Sequence, residues 1–458
     1  MRDYRSLSLW HDLLPEPIEP RPSLSGRQAY DVAIVGGGYT GLWTAYYLAR
    51  ADPHLRICLL EKEVCGFGAS GRNGGWCSAH FPASLAKMAA SSSREAAIAQ
   101  IRELCATIDE VGRVIAEESI DASWQKGGTL RVAMNAAQLE GLRRKLADQR
   151  DWGFGEEDYV WLSAEETRAR VNVEGALAGH YTPHCAAFDP ARLAVGLTRV
   201  VERLGVKVFE QSPALDFGER RVELASGSVS ADVVVLAMEA YASAFPRWHR
   251  ELVPLYSLMV ATEPLSERQL ERLVWENREC LTDGRHLIIY LQRTADGRIA
   301  IGGRGAPYHF GSRVLDSFDG DPGLFRHLRE TLLTLFPALG DVAFTHSWGG
   351  PIGVPRDWYS SVAYDRASGY ARAGGYVGNG VGITNLAGRT LRDLVLGVDS
   401  DIVRLPWVAR RSPQWEPEPW RWLAINSALR LMDVSDTEER LTTRPSRLAG
   451  VVDKLVGI

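Results

Sequence analysis

Residues Asp31 to Glu61 read DVAIVGGGYTGLWTAYYLARADPHLRICLLE, and this stretch decides the fold. Asp31 to Val35 is an apolar run of the length of one buried strand. Gly36, Gly38 and Gly41 follow at G-x-G-x-x-G spacing. Thr40 to Arg50 holds few helix breakers and predicts a helix. Arg56 to Leu60 predicts a second strand that ends on an acid, Glu61. Strand, glycine turn, helix, strand and acid in this order make a dinucleotide-binding βαβ unit. Gly36 allows the tight turn, Gly38 lets a pyrophosphate approach the backbone, and Gly41 lets helix and strand pack closely. The helix N-terminus offers unpaired N–H groups to phosphate. Glu61 can accept hydrogen bonds from a ribose diol, and it disfavours the 2′-phosphate of NADP.

The whole chain has 458 residues, enough for about two or three compact units. Its formal net charge of −5, with no concentrated basic stripe, gives no reason to expect nucleic acid. No window of about 18 apolar residues is present, so no transmembrane helix is expected. The first residues, MRDYRSLSLWHDLLPE, lack the apolar core of a secretory signal. Cys58, Cys65, Cys77, Cys105, Cys185 and Cys280 form no C-x-x-C pair and have no histidine cluster beside them. Neither a metal site nor a disulfide framework is expected, and the expected compartment is a reducing cytoplasm.

Outward from the opening unit, residues 1–28 are rich in proline, serine and charge. They are expected to lie on the surface, anchored by Trp10, Leu13 and Leu14. After Glu61, Cys65 to Trp76 reads CGFGASGRNGGW, with five glycines in twelve residues. Such a run predicts neither a regular helix nor a strand, but a continuation of the cofactor site. Helices are expected over 92–119, 136–149, 191–204, 265–274 and 322–336. Tyr181 to Arg192 reads as irregular. Strands are expected over 127–134, twice within 205–217, and in a hairpin of Arg221–Leu224 with Ser228–Ser230. Ala231 to Met238 reads as a separate strand buried on both faces of a parallel sheet. The pattern then turns antiparallel over 253–262, 286–292 and 298–302, with a short strand over 344–348. Gly374 to Leu396 predicts a strand, a glycine turn and a helix. One ligand held by two helix N-termini would explain both glycine turns. NAD would leave the later chain free, whereas FAD recruits later segments; Cys65–Trp76 and Gly378–Thr384 therefore favour FAD. After Asp399 the chain crowds Trp407, Trp415, Trp420 and Trp422 among prolines and arginines. An amphipathic helix over Glu418–Met432 is expected to dock this tail on the body, the alternative being a partner or membrane-surface helix.

The expected fold is α/β, a Rossmann-type FAD-binding domain of the glutathione-reductase kind with a second, antiparallel-sheet α+β substrate domain. The FAD domain is expected to be discontinuous, from 29–81, 165–245 and 345–398. The substrate domain takes 82–164 and 246–344, flanked by the 1–28 leader and the 399–458 extension.

Six motifs carry a resemblance: DVAIVGGGYTGL at 31–42, GFGASGRNGGW at 66–76, FDPARL at 188–193, VPLYSLMVATEPLS at 253–266, WGGPIG at 348–353 and GNGVGITNLAGRTL at 378–391. In these, over about residues 28–398, the sequence resembles the D-amino-acid-oxidase-type flavoproteins, which include sarcosine and glycine oxidases. The γ-glutamylputrescine oxidase branch is the nearest in kind. The resemblance implies that Gly36, Gly37, Gly38, Tyr39, Thr40, Gly41 and Glu61 hold the ADP half of FAD, with Lys62 near the adenine. Gly68, Ala69, Ser70, Arg72, Asn73, Gly74, Gly75 and Trp76 match the segment that runs beside the pyrophosphate and isoalloxazine. Ala214 matches a backbone contact to adenine, Ala237 the strand end near the pyrophosphate, and Gly350 the glycine pair after Trp348. Gly378, Asn379, Gly380, Val381, Gly382, Ile383 and Thr384 match the loop at the flavin O2 edge. The implied chemistry is amine oxidation, with hydride transfer to flavin N5, hydrolysis of the imine, and reoxidation by O2 or another acceptor.

Departures from the family narrow this. Sarcosine oxidases hold their flavin through a cysteine near the WGG segment, but no cysteine follows Cys280, so FAD is expected to be non-covalent. Ala300 stands where those enzymes have an oxygen-activating lysine, which makes oxygen a poor acceptor or leaves Arg304 to supply the charge. Ile352 stands where glycine oxidase clamps a carboxylate with arginine. That favours a γ-glutamylputrescine-like or other alkyl amine over a simple α-amino acid. The strand end Ala237-Met238-Glu239 replaces the usual Ala-Thr-Gly or Ala-Thr-Asn, with Glu239 expected to be structural. Trp348, Tyr256, Arg304, Tyr290 and His309 are the candidate catalytic residues, with Tyr308 as a pocket candidate. Cys77 and His80 are expected to line the site. The alternatives are a tailoring enzyme for a larger amine-containing natural product and a non-catalytic FAD-binding subunit.

Overall fold

The computed structural model describes residues 2–446 and 448. Val32 to Val35 are buried, as the centre of a parallel sheet requires. They end β1 (Gly26–Val35), whose polar first half extends the strand well before the apolar run because β11 (Gly227–Leu236) holds it in register. The sheet runs β17 (Ser361–Asp365), β18 (Tyr370–Gly374), β11, β1, β2 (Ile57–Leu60), β8 (Lys207–Phe209). All neighbours are parallel except β17, which closes the edge antiparallel to β18. The hairpin β9 (Ala214–Gly218) and β10 (Arg221–Leu224) hangs on β11.

Two sequence expectations fail here. Ser228–Ser230 and Ala231–Met238 are one strand, because β11 pairs β10 on one side and β1 on the other through its polar half. The strand expected after Gly374 instead precedes it, and β17 was not foreseen at all. Gly375, at φ +76°, turns the chain out of β18 toward the next helix.

The Tyr39–Ala51 and Gly380–Leu396 helices pack together on this sheet, burying Trp43, Tyr46, Leu386 and Leu391. A Cβ on Gly388 would stand 2.7 Å from the Trp43 backbone, so the two helices are in backbone contact. The Pro190–Arg203 helix begins where Asp189 accepts from the N–H of Arg192 at 3.1 Å, with proline at its first position.

A second sheet runs β16 (Phe344–Pro355), β12 (Leu252–Thr262), β15 (Ile299–Gly303), β14 (Ile289–Arg293), β13 (Cys280–Asp283), β4 (Thr129–Ala133), β6 (Ala178–Thr182), β5 (Val160–Ser163). Its pairs are antiparallel except β13 with β4. β5 and β13 were not anticipated. β6 and β7 (Cys185–Ala187) correct the reading of Tyr181–Arg192 as irregular; β7 pairs with β3 (Trp76–Ser78) at the end of the glycine loop. The same loop also winds into one helical turn, Ala69–Arg72, in spite of its glycines. β16 does not stop at Trp348. It pairs with β12 from Leu252↔Pro355 onward through Gly349 and Gly350, where a Cβ on Gly349 would meet Leu258 at 2.2 Å. Leu130, Val132, Leu162, Val260, Leu281, Leu291 and Ile301 point to one face of this sheet and pack under the Pro322–Leu335 helix. The opposite face looks toward the glycine loop.

The leader is more deeply held than a surface segment. Leu9, Trp10, His11 and Leu14 are buried, and Leu13 packs against them. Ser8 caps the short Leu9–Asp12 turn. In the tail, Trp407 and Trp415 are buried, each adding a few kcal/mol of apolar burial at about 25 cal/mol per Å². Trp415 donates to the Val354 carbonyl at 2.8 Å. The Trp420–Thr442 helix extends beyond Met432 and docks through Asp436, which accepts from the N–H groups of His286 and Leu287. Trp420 and Trp422 are exposed. The rest of the expected extension lies outside the described residues. Among the described residues no helix is long and apolar enough to cross a membrane.

Candidate active site

The first glycine turn is built by backbone contact. Gly36 sits at φ +113°, and a Cβ there would stand 2.5 Å from the Ala237 carbonyl oxygen. A Cβ on Gly41 would stand 2.0 Å from the Gly36 carbonyl oxygen. The Tyr39–Ala51 helix therefore starts against the ends of β1 and β11, and its N-cap Gly38 offers no capping side chain. The Gly380–Leu396 helix also begins without a side-chain cap, on Asn379. A 2.9 Å hydrogen bond between Thr40 Oγ1 and Tyr376 Oη ties the two starts together. Two neighbouring helix N-termini with open N–H groups fit a ligand that carries phosphate at one end and an electron-rich ring edge at the other.

Glu61 ends β2 below this turn. Its carboxylate accepts from the N–H groups of Gly37 at 2.7 Å and Glu63 at 2.9 Å. Burial nevertheless raises its pKa to about 7. Lys62 beside it is exposed. Ala214, half-buried, starts β9 just after Ser212, whose N–H bonds the Glu61 carbonyl at 2.8 Å. A ribose diol would donate to the ionised carboxylate, so FAD should favour that form. Protonation below about pH 7 then opposes binding, and apoprotein affinity for FAD should fall about tenfold from about pH 8 to about pH 6. Fluorescence titration of the apoprotein checks this. A Glu61→Gln variant should show weaker binding with a flat profile.

The glycine loop is held from four sides. Ser70 Oγ accepts from Tyr39 N at 2.9 Å. Asn73 donates to the Ala69 and Ser70 carbonyls and accepts from Gly75 N. Arg72 is buried; it bonds the Phe67 carbonyl at 2.7 Å, the Gly349 carbonyl at 3.2 Å and the Asp319 carboxylate at 2.6 Å. Trp348 and Trp10 donate their indole N–H groups to the Arg72 and Asn73 carbonyls. A Cβ on Gly68 would meet the Tyr241 ring at 3.1 Å, and one on Gly74 would meet the Tyr290 ring at 2.6 Å. Trp76 stands edge-on to Tyr290 at 6.2 Å, its buried indole N–H without a partner among the described residues.

The five catalytic candidates separate into three places. Tyr290 and Arg304 come together at the two glycine loops. Tyr290 bonds Ser257 Oγ at 2.8 Å, and burial raises its pKa. Arg304 donates to the Val377 carbonyl at 2.6 Å, lies over the Trp358 ring, and would touch a Cβ on Gly378 at 3.3 Å. Burial lowers its pKa, and it has no carboxylate partner among the described residues. Trp348 is 3% exposed, wedged between Trp10 and the loop it supports. Tyr256 and His309 meet each other instead, edge to face at 5.5 Å, with His309 stacked on Phe318. Tyr308 bonds Glu418 of the tail. Glu239 accepts from Gly375 N and Tyr376 N, and so shapes the turn that leads to Gly378. Gln292, missed from the sequence, bonds the Gly74 and Phe188 carbonyls at 3.0 and 3.2 Å. Its place two residues after Tyr290 on one strand was the available signal. A separate cluster of Cys105, Asp158 and His184 already holds a cation, because Arg102 pairs with Asp158 at 2.5 Å.

Residues 31–394 match the family model described as FAD dependent oxidoreductase. Gamma-glutamylputrescine oxidoreductase of Escherichia coli K12 is 31% identical over 391 residues, covering 82% of this chain and 86% of that protein. Glycine oxidase of Bacillus licheniformis is 23% identical over 395 residues, covering 83% and 96%. The crystal structure of glycine oxidase from Geobacillus kaustophilus shares the fold at a TM-score of 0.70 and 21% identity, covering 84% of this chain and all of that one. With the paired helix N-termini, Glu61 and the braced glycine loop, these similarities show that the chain belongs to the DAO family of FAD-dependent oxidoreductases, which act on the C–N bonds of amines or amino acids.

Proposed function

We propose that this protein oxidises a primary or secondary amine that is not a simple α-amino acid, using non-covalent FAD and passing electrons to O2 or another acceptor. One observation carries the reading. The corner where Tyr290 and Arg304 meet both glycine loops has the apolar Ile352 beside Gly378, and the neighbouring Arg304 is turned to the Val377 carbonyl at 2.6 Å, which disfavours an α-carboxylate there. The relative named gamma-glutamylputrescine oxidoreductase supports a polyamine-derived substrate.

When bound, FAD supplies the hydride acceptor and the route for electrons. The chain's own residues do the rest. The N–H groups that open the two helices would hold the phosphates and the flavin edge. Arg304 lies beside Gly378 and would supply positive charge to the edge of a flavin held by that loop. Trp76 and Tyr290 form an aromatic wall that excludes water and favours the neutral amine, the form that can lose hydride. Tyr290 stays protonated and, through Ser257, keeps a fixed hydroxyl in that wall. The six unpaired, buried cysteines support a reducing compartment such as the cytoplasm.

Anaerobic mixing with amines tests the reading. Alkyl amines and γ-glutamylputrescine should bleach the flavin, and glycine should do so at least about tenfold more slowly. Denaturation should release the flavin into solution. Bleaching by α-amino acids and by no other amine would overturn the proposal.

A further inference from the structure

The cofactor-facing side of the second sheet carries a row of residues that lie opposite one another strand by strand. Met259 pairs with Trp348 and with Gly302, and Gly302 pairs with Tyr290. Leu281 pairs with Leu291, which brings Thr282 opposite Tyr290. Thr282 pairs with Arg131, and Arg131 with His180. Their neighbours Leu130, Val132, Leu281 and Leu291 all pack on the other face. Tyr290 and Arg131 are therefore two strand spacings apart on one surface, about 10 Å, with only Thr282 between them.

The Ala136–Asp151 helix walls the far end of this row. Its Gln149 bonds His180 at 2.7 Å, and the same helix supplies Lys145. His80, which follows the glycine loop, reaches the same space from the cofactor side. Its side chain is exposed. Desolvation lowers the His80 pKa to about 3, and Lys145, Arg131 and Arg304 add to this electrostatically. Arg131 is the largest cause that lowers Lys145 to about 7. No carboxylate pairs with Arg131 or Lys145 among the described residues. Arg131 reaches only the Asp283 carbonyl, at 3.4 Å, and the Asp283 carboxylate is taken by Arg285 at 2.7 Å. The one acid acting on Lys145 is Asp148, which is exposed. Arg131 and Lys145 are half-buried, and the acids that act on them do so without direct pairing, Asp283 on Arg131 and Asp148 on Lys145, so a ligand carboxylate would add the direct counter-charge.

We propose that Arg131 and Lys145 form an anion subsite for a carboxylate on the substrate's tail, about 10 Å along the sheet from Tyr290. A guanidinium fork with an ammonium beside it suits a carboxylate. The separation rules out the carboxylate of an α-amino acid, which is bonded to the reacting carbon itself. The subsite thus rests on the amine-oxidation reading for the reacting end, and adds an amine with a remote acid.

Two measurements on the FAD-loaded protein test it. In the first, hexanoate and octanoate are titrated against the resting enzyme and followed by flavin difference absorbance. Arg131→Met and Lys145→Met should each raise the Kd about tenfold or more, with an unchanged flavin spectrum as the control for folding. In the second, ω-amino acids of increasing length are compared with n-alkyl amines of equal chain length. The wild type should favour the acids in kcat/KM, with an optimum at one length. Arg131→Met should remove that preference and leave the alkyl amines within about twofold. Carboxylates that bind wild type and variants equally would overturn the subsite. If the variants lose carboxylate binding but no amine bleaches the flavin, the subsite stands and the amine-oxidation reading fails.

Discussion

Gly41→Val is expected to yield a protein that does not retain FAD. A Cβ at residue 41 would stand 2.0 Å from the Gly36 carbonyl oxygen and 3.2 Å from Ile34 Cγ2. The nearer atom is backbone and cannot rotate away. The strand that carries it lies between β11 and β2 in the middle of the sheet, so it cannot retreat either. The Tyr39–Ala51 helix must therefore lift off β1. Its N–H groups then leave the line on which a pyrophosphate would bind, and its contact with the Gly380–Leu396 helix is strained as well. Overpacking costs about 1–3 kcal/mol where side chains can adjust, and more should be lost here. A loss of about 3 kcal/mol expressed in binding alone weakens FAD about a hundredfold. Fluorescence titration of refolded apoprotein measures it, with circular dichroism to show that the fold survives. A folded variant with native affinity would refute the packing described for the turn.

The second large effect is expected at Arg72. Replacing it with methionine leaves the Asp319 carboxylate and the Phe67 and Gly349 carbonyls without a buried donor. Breaking a buried ion pair from one side costs about 3–5 kcal/mol, so denaturant unfolding should register a loss of that size. Burial raises the Asp319 pKa even with Arg72 beside it, which means that the pair itself contributes less than its disruption costs. Asp319→Asn should accordingly cost less than Arg72→Met, and the double variant less than the sum of the two. Arg72→Lys should rescue poorly, because one ammonium cannot serve three acceptors spread around a planar fork. Equal costs for the two single variants, with full additivity, would contradict this account of the loop.

The contrast between these two sites shows what a sequence can disclose. Gly41 was legible because its constraint is local: strand, turn and helix lie within a few residues, and only glycine fits between them. Arg72 was legible as a member of the cofactor loop but not as its brace, because Asp319 and Gly349 reach it from distant strands and loops. Trp348 and Tyr256 looked alike on the sequence, aromatic residues on expected strands of the second sheet. The fold directs one under the cofactor loop and the other toward His309. β13 and β5 went unseen because four residues carry too little periodicity to stand out. Arg131 lay within a strand that the sequence did reveal. Its character depends on what is absent around it, and unpaired charge has no sequence signature.

The leader gives the cofactor loop a further property, one of folding order. Trp10 reaches Asn73 across 63 positions of sequence, and Trp348 reaches Arg72 across 276. Contacts between parts so distant form only after much of the chain has collapsed, since closing long loops costs entropy before it is rewarded. The βαβ unit at Asp31–Glu61 can take shape early from its own residues. The glycine loop that we propose completes the redox centre would await both ends of the fold, and competence to hold a flavin ring would then follow the nucleotide fold in time.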